Sequence, residues 1–305
     1  TMNFLRKIKK NKSITSLRRY IVYVISVFFL FTVKHLPWKL VVCLGRSLGK
    51  FAFHIVKYTR KRTLDNLTKV FGQEKTDREI FQIAKNVYKN IGITALEFPK
   101  MSSMTDKEFF STVDYEKKQI DFLWSLLDKK KGVIFASAHM GNWEMLAGFG
   151  ARLGFKMSVL YKPSTNPYLN KIWFGLRGKN QLIDITENLQ VVTKRLRANE
   201  VMCILFDENA RKRGVKLNFL GRPASTYKGP AYFSLRTGCP IVCLYFIRGE
   251  DGKHKFIIER TIYPKRSKDL EKDIIKIMNE MNASLELMIK RYPDQWNWIY
   301  KRWET

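Results

Sequence analysis

An α/β fold, with a mixed sheet flanked by helices, is what this sequence predicts, preceded by a hydrophobic helical membrane anchor at the N-terminal end. Three observations carry that reading. Short apolar runs alternate with helix-period stretches through the later part of the chain. At 305 residues and 45% hydrophobic, the chain has material for one large core and an appendage. The charge is lopsided: the formal net charge is +29, no acidic residue precedes Asp65, and 15 Lys and Arg lie between positions 6 and 62.

That basic block has an apolar centre, "YIVYVISVFFLFTV" at 20–33. It is shorter than the roughly 20 residues of a full span, but Lys34 and Lys39 are placed to snorkel and lengthen it. No small-residue cleavage site follows it, so it is a poor signal peptide. The next stretch, "LPWKLVVCLGRSLGKFAFHIVKY" at 36–58, is amphipathic and basic. Together the two predict an anchored or interfacial helical hairpin over 1–60, ahead of a globular body over 61–305. A buried helix with a solvated basic face is the competing account. Lysine and arginine flank both ends, so the positive-inside rule sets no orientation.

The body opens with a helix at 77–98 and another at 115–130, both with apolar residues three and four apart. Strands then follow at 132–138, 156–161, 181–185, 201–206, 240–248 and 255–260. Helices fall between several of them, near 143–152, 167–178, 187–198 and 228–237. A last long helix, 268–291, carries one stripe from Leu270 to Met288 that reads as core packing. Cys43, Cys203, Cys239 and Cys243 show neither zinc spacing nor CxxC, and three of them sit in apolar segments. The globular part is therefore read as reduced and cytoplasm-facing. No nucleotide loop, hydride-cofactor fingerprint or metal cluster is visible, so no cofactor is expected.

The chemistry gathers at "SAHMGNWEML", 137–146, where the strand "GVIFA" gives way to a helix. Ligands of open α/β sheets bind at the carboxyl ends of strands. His139 lies at such an end, Gly141 permits a tight turn, and Asn142 is placed to cap the helix. Glu144, in the first helical turn, is expected to reach back to one imidazole nitrogen and raise the basicity of the other. A structural His–carboxylate hydrogen bond is the plainer alternative. Asp207 ends the strand "VMCILFD", with Glu208 and Asn209 beside it; it orients a basic group or the acceptor, or simply makes a turn. "FLGRPASTYKGP" is a shaped loop in which Arg222, Thr226 and Lys228 are candidates for an anionic headgroup, although a structural turn explains its glycines and prolines equally well. Trp296, Trp298 and Trp303, beside Arg302, suit either a membrane interface or acyl-chain entrance, or a packed C-terminal lid over the core, and packing is favoured for at least two.

"HMGNWE" resembles the HxxxxD/E motif of glycerolipid and glycolipid acyltransferases, and more closely the branch of the bacterial lipid A late (lauroyl and myristoyl) acyltransferases. Three further stretches match that branch in order: 161–183, with Arg177 before a glycine; 205–242, with "GRPA-x-T" and "GPA"; and "DQWNWIYKRW" at 294–303. The resemblance covers about residues 55–303. It implies the glycerolipid acyltransferase-like α/β fold and makes 61–305 the catalytic domain. His139 is then the general base, held by Glu144, on a hydroxyl that attacks an acyl thioester. Arg177 is the candidate for the oxyanion or an acceptor phosphate, with a surface arginine as the alternative; Asp207, Glu208, Arg222, Thr226 and Lys228 are substrate-binding candidates. The implied partners are acyl carrier protein or a CoA thioester as donor and an anionic glycolipid as acceptor, at the cytoplasmic face of a bacterial inner membrane. A lipid A precursor leads as acceptor. The "HMGNW" form also looks like the phosphatidylinositol mannoside acyltransferases.

Two readings of other classes stand beside this one: a non-enzymatic basic protein binding membrane or nucleic acid, and a catalytically silent membrane scaffold. Charge alone permits nucleic acid. Against it, the basic block surrounds an apolar segment and no nucleic-acid motif is present; against decay, His139 and Glu144 are both kept.

Overall fold

The computed structural model describes residues 12–178, 180–184 and 189–303. The basic residues at 6–10, the last residue of the strand expected at 181–185 and the first two of the helix expected at 187–198 lie outside these.

Four helices come first: α1 (Lys12–His35), α2 (Trp38–Ile55), α3 (Lys57–Phe71) and α4 (Asp77–Met101). In α1, the 20 residues Ser16–His35 are long and apolar enough to cross a membrane, and only 6% of that window is buried. At about 1.5 Å per residue they reach about 30 Å, the thickness of a bilayer core. Only Leu36 and Pro37 separate α1 from α2. A capping box between Thr76 and Glu79 starts α4.

After α5 (Asp106–Ser111), β1 (Val113–Asp114) and α6 (Lys117–Leu127), the body alternates as expected: β2 (Val133–Ser137), α7 (Trp143–Arg152), β3 (Met157–Tyr161), α8 (Pro167–Arg177), β4 (Gln181–Asp184), α9 (Gln190–Arg197) and β5 (Val201–Leu205). A hairpin, β6 (Val215–Phe219) and β7 (Arg222–Thr226), stands where the sequence suggested a loop. Then come α10 (Gly229–Thr237), β8 (Ile241–Arg248), β9 (His254–Ile262) and α11 (Leu270–Arg291).

Seven strands form one sheet in the order β1-β9-β8-β2-β5-β3-β4. It is parallel from β8 to β4, antiparallel between β8 and β9, and parallel again at β1. Side chains alternate across it. Ile134 and Ala136 of β2 pack toward α3, α4, α10 and α11; Val133 and Phe135 pack toward α6 and α7. Being covered on both faces, β2 and β8 are buried at every residue, which is why they read as unbroken apolar runs. Cys203, Cys239 and Cys243 are buried, and burial pushes their thiols up to about 12, 11 and 12; Cys43 is exposed.

Candidate active site

The parallel pairing of β2 with β5 builds the site. Their register sets Ser137 opposite Leu205, and Phe206 N–H donates to Ser137 O at 3.1 Å. Two residues beyond each strand end, His139 and Asp207 therefore face each other. Asp207 is fully buried and accepts three bonds: from His139 N–H at 3.0 Å, from His139 Nδ1 at 2.9 Å and from Trp296 Nε1 at 2.9 Å. Main chain and ring of one histidine are thus held by one carboxylate. Among the described residues nothing hydrogen-bonds Nε2, and the side chain is 14% exposed. Tyr300 and Trp143 meet the ring edge-on, at 4.8 and 5.3 Å between centroids.

Burial works to depress the His139 pKa, but the Asp207 charge and hydrogen bond, with Glu208 and Glu144 adding, outweigh it and raise the pKa above the ordinary 6.5. Asp207 is the mirror case: burial pushes up, the His139 contacts and the Trp296 indole pull down, and the net shift is downward. Both shifts favour a charged pair once His139 holds a proton.

The expectation that Glu144 orients His139 is corrected here. Glu144 lies in the first turn of α7, where its carboxylate takes Arg177 Nη2 at 3.0 and 3.3 Å and Nε at 3.4 Å. The histidine's Nδ1 is already on Asp207, so Glu144 acts on it only as a nearby charge. Arg177, the last residue of α8, is drawn to the same side of the sheet by this pair. Behind Glu144 and Arg177 opens a cavity of about 230 Å³, with Phe98, Met101, Phe109 and Leu176 on its apolar side and Asp106, Arg152 and Asn180 on its polar side.

The remaining predicted residues divide. Glu208 is exposed and close enough to act on His139 and Tyr300. Thr226 is buried and its hydroxyl is held by Arg302 Nη2 at 2.7 Å, so it braces the C-terminal segment instead of facing an anion. Arg222 pairs with Phe219 at the hairpin's turn, the end away from Thr226, and its Nε donates to Lys69 O of α3 at 3.3 Å. It is not brought to His139. Lys228 is exposed just before α10.

The loop itself is clamped from behind. Gly141 adopts φ 58°, and a Cβ there would meet Phe246 O at 1.8 Å, so glycine is required twice over. Gly141 N–H donates to Gln295 O, Asn142 N–H donates to Phe246 O, and Asn297 N–H donates to His139 O. Asn142 caps α7 through Met145 N–H, as expected, while its amide donates to Glu97 Oε2 at 2.8 Å. Glu97 is itself fully buried against Arg248 and His254, and Arg248 Nη2 donates to Thr94 Oγ1, which donates in turn to Gly141 O. Burial pushes Glu97 up, but Arg248 first and then His254 bring it down to about 2. Trp296 and Trp298 are buried packing residues, as favoured; the Trp296 donor to Asp207 and the Glu97 cluster were not foreseen. Among the described residues no three His, Cys, Asp or Glu side chains converge as metal ligands.

What this arrangement offers is a fixed imidazole with one open nitrogen, an arginine–glutamate pair, and behind that pair a cavity of mixed polar and apolar lining. The model of the family described as bacterial lipid A biosynthesis acyltransferase matches residues 7–305. The lipid A biosynthesis lauroyltransferase of Escherichia coli is 25% identical over 94% of this chain and 92% of its own length. The palmitoleoyltransferase of the same organism is 24% identical over 88% and 87%. The phosphatidylinositol mannoside acyltransferase of Mycolicibacterium smegmatis is 22% identical over 78% and 77%.

Proposed function

The chain belongs to the bacterial lipid A biosynthesis acyltransferase family and is an acyltransferase of glycolipids, and from that premise we propose that it moves a fatty acyl chain from a thioester of acyl carrier protein or CoA to a hydroxyl of a lipid A precursor. His139 Nε2 removes the hydroxyl proton. The oxygen attacks the thioester carbonyl, the tetrahedral oxyanion collapses, and the departing thiolate takes the proton from the imidazolium. Asp207 holds Nδ1–H, fixes the tautomer and stabilises the imidazolium while it lasts. A positioned base of this kind contributes about 10²–10⁴ in rate.

Arg177, set in place by Glu144, supplies positive charge for the oxyanion or for an acceptor phosphate. The cavity behind that pair takes part of the acyl chain. Glu208 and Lys228, both exposed, contact the acceptor or donor from the rim. The reaction as written needs no cofactor. The enzyme works from the cytoplasmic face of an inner membrane, with α1 in the bilayer.

The observation that carries the reading is the His139–Asp207 pair at two adjacent parallel strand ends, open at Nε2. A basic protein that only bound nucleic acid has no use for it. Similarity to a phosphatidylinositol mannoside acyltransferase keeps another glycolipid as the alternative acceptor. The test is mass spectrometry of lipid A and phospholipids from cells carrying the wild-type chain or His139→Ala. One added acyl chain on lipid A with wild type alone supports acceptor and base together. A gain on another glycolipid overturns the acceptor, and no difference in any lipid overturns the enzymatic mechanism.

A further inference from the structure

α2 has three long faces, and only one of them is used by the fold. Val41, Gly45, Gly49 and Phe53 are buried, spaced four apart, and face α4. The approach is close: a Cβ on Gly45 would meet Ile93 Cα at 2.5 Å, one on Gly49 would meet Tyr88 O at 2.1 Å, and one on Gly92 would meet Gly45 O at 2.3 Å. Backbone thus lies on backbone, and α2 cannot roll or lift without breaking that contact.

Beside this face runs a second stripe, Leu40, Leu44, Leu48, Phe51 and Ile55, at the period of one helical face. These side chains are 42–63% exposed. On the other flank lie Lys39, Arg46 and Lys50, also exposed and also on one stripe. A solvated helix has no reason to separate an exposed apolar stripe from an exposed cationic one. A helix lying in a lipid interface does, because one stripe enters the acyl region while the other meets headgroup phosphates.

We infer that α2 lies in the plane of an anionic bilayer surface, with the Leu44–Leu48–Phe51 stripe submerged and the Lys39–Arg46–Lys50 stripe on the headgroups. The inference rests on the reading that α1 enters the membrane. A two-residue link spans at most about 10 Å, so an inserted α1 delivers the start of α2 to the interface. From there the route inward is short and stiff. α2 is locked to α4, and α4 carries Thr94 and Glu97, which hold Gly141 and Asn142 of the catalytic loop. The bilayer surface thereby sets the height and tilt of His139 over the acceptor.

The test uses the full chain with Cys43→Ser, which leaves only buried cysteines among the described residues. One environment-sensitive fluorophore is placed at Leu44→Cys, Leu48→Cys, Arg46→Cys or Lys50→Cys, and the protein is floated with vesicles containing phosphatidylglycerol. The expected result is quenching at positions 44 and 48 by lipids brominated at shallow acyl positions, at least about twofold stronger than at 46 and 50 and than with bromines at the chain ends, since an interfacial helix sinks only about 5–10 Å. Neutral phosphatidylcholine vesicles are expected to give weaker quenching. Equal quenching on both stripes means a helix surrounded by lipid and overturns the inference. A chain that floats with no quenching at any position overturns it and leaves α1 insertion standing. A chain that does not float overturns both. Blue-shifted emission that grows with protein concentration in the absence of vesicles assigns the stripe to a second copy of this chain, and also overturns it.

Discussion

His139 and His254 each sit against a buried carboxylate, one in front of the loop that follows β2 and one behind it. In front, Asp207 takes Nδ1 and the main chain of His139 while Nε2 stays open to the outside. Behind, His254 is fully buried, its Nε2 lies 2.9 Å from Arg248 Nη1 and 3.3 Å from Glu97, and Arg248 completes the charge balance. The rear cluster spends its carboxylate on holding Asn142 and, through Thr94, Gly141. The same two residue types therefore do different work according to one variable, whether a ring nitrogen is left for a substrate. The front pair leaves a ring nitrogen accessible, and the rear cluster holds the loop in shape.

The sharpest way to break that contrast is Asp207→Asn, expected to lower acyl transfer by about 10²–10⁴, with little change in the wild-type far-UV spectrum. A pH profile separates its role from plain structure. In the proposed mechanism the working form of His139 is neutral, and its pKa is raised above 6.5, so the wild-type rate is expected to climb as pH rises through a value above 6.5. Without the Asp207 charge, burial dominates and pulls the pKa down. The acid limb of the variant therefore moves to lower pH while its plateau falls. A plateau that falls with an unmoved limb would assign Asp207 to folding alone.

The rear cluster predicts a different phenotype. Arg248→Met leaves Glu97 buried without its main cation, and breaking one partner of a buried pair costs about 3–5 kcal/mol. Thermal or denaturant unfolding reads this directly. In the wild type, Glu97 falls from 4.5 to about 2 on folding, so its contribution is present above 4.5 and is lost as pH falls toward 2. In Arg248→Met the folded pKa rises instead, and protonation relieves the buried charge. The gap between variant and wild type is therefore expected to be widest at high pH, to narrow as pH falls through the variant's raised folded value, and to narrow further from 4.5 toward 2 as the wild type loses its own contribution. A gap constant with pH would mean that the arginine is held for packing only.

Much of the front was legible in the sequence and almost none of the rear was. Strands buried on both faces read as apolar runs, and the strand–helix alternation placed His139 and Asp207 at carboxyl ends. Their partnership was hidden because it depends on β2 and β5 being neighbours in register, and nothing in HxxxxE supplies that. Glu144 is nearer in sequence and drew the assignment, yet its carboxylate is committed to a helix 33 residues on. Glu97 and Arg248 stand 151 residues apart, each at a position that looks like an ordinary helix or strand charge. The β6–β7 hairpin was missed because Gly221 marks its turn, Pro223 stands inside β7 and Gly229–Pro230 open α10, so "FLGRPASTYKGP" read as one shaped loop. Trp296 carried a usable signal: a buried indole N–H needs an acceptor, and an Asp at a strand end is one.

Trp296→Phe tests the smallest term in the front pair. The ring is 1% exposed and packs on Trp298 and Phe219, and phenylalanine keeps much of that contact while deleting Nε1. Asp207 then loses one of its three donors, Oδ2 retaining the His139 N–H at 3.0 Å. Losing a hydrogen bond to a charged group costs about 1.5–3 kcal/mol, shared between stability and the steering of His139. The expected result is a modest drop in melting temperature and a rate loss smaller than that of Asp207→Asn, with the pH limb moved only slightly, because the charge that raises His139 is still in place. A rate loss as large as that of Asp207→Asn would make the indole, and not the carboxylate's charge, the group that sets the imidazole.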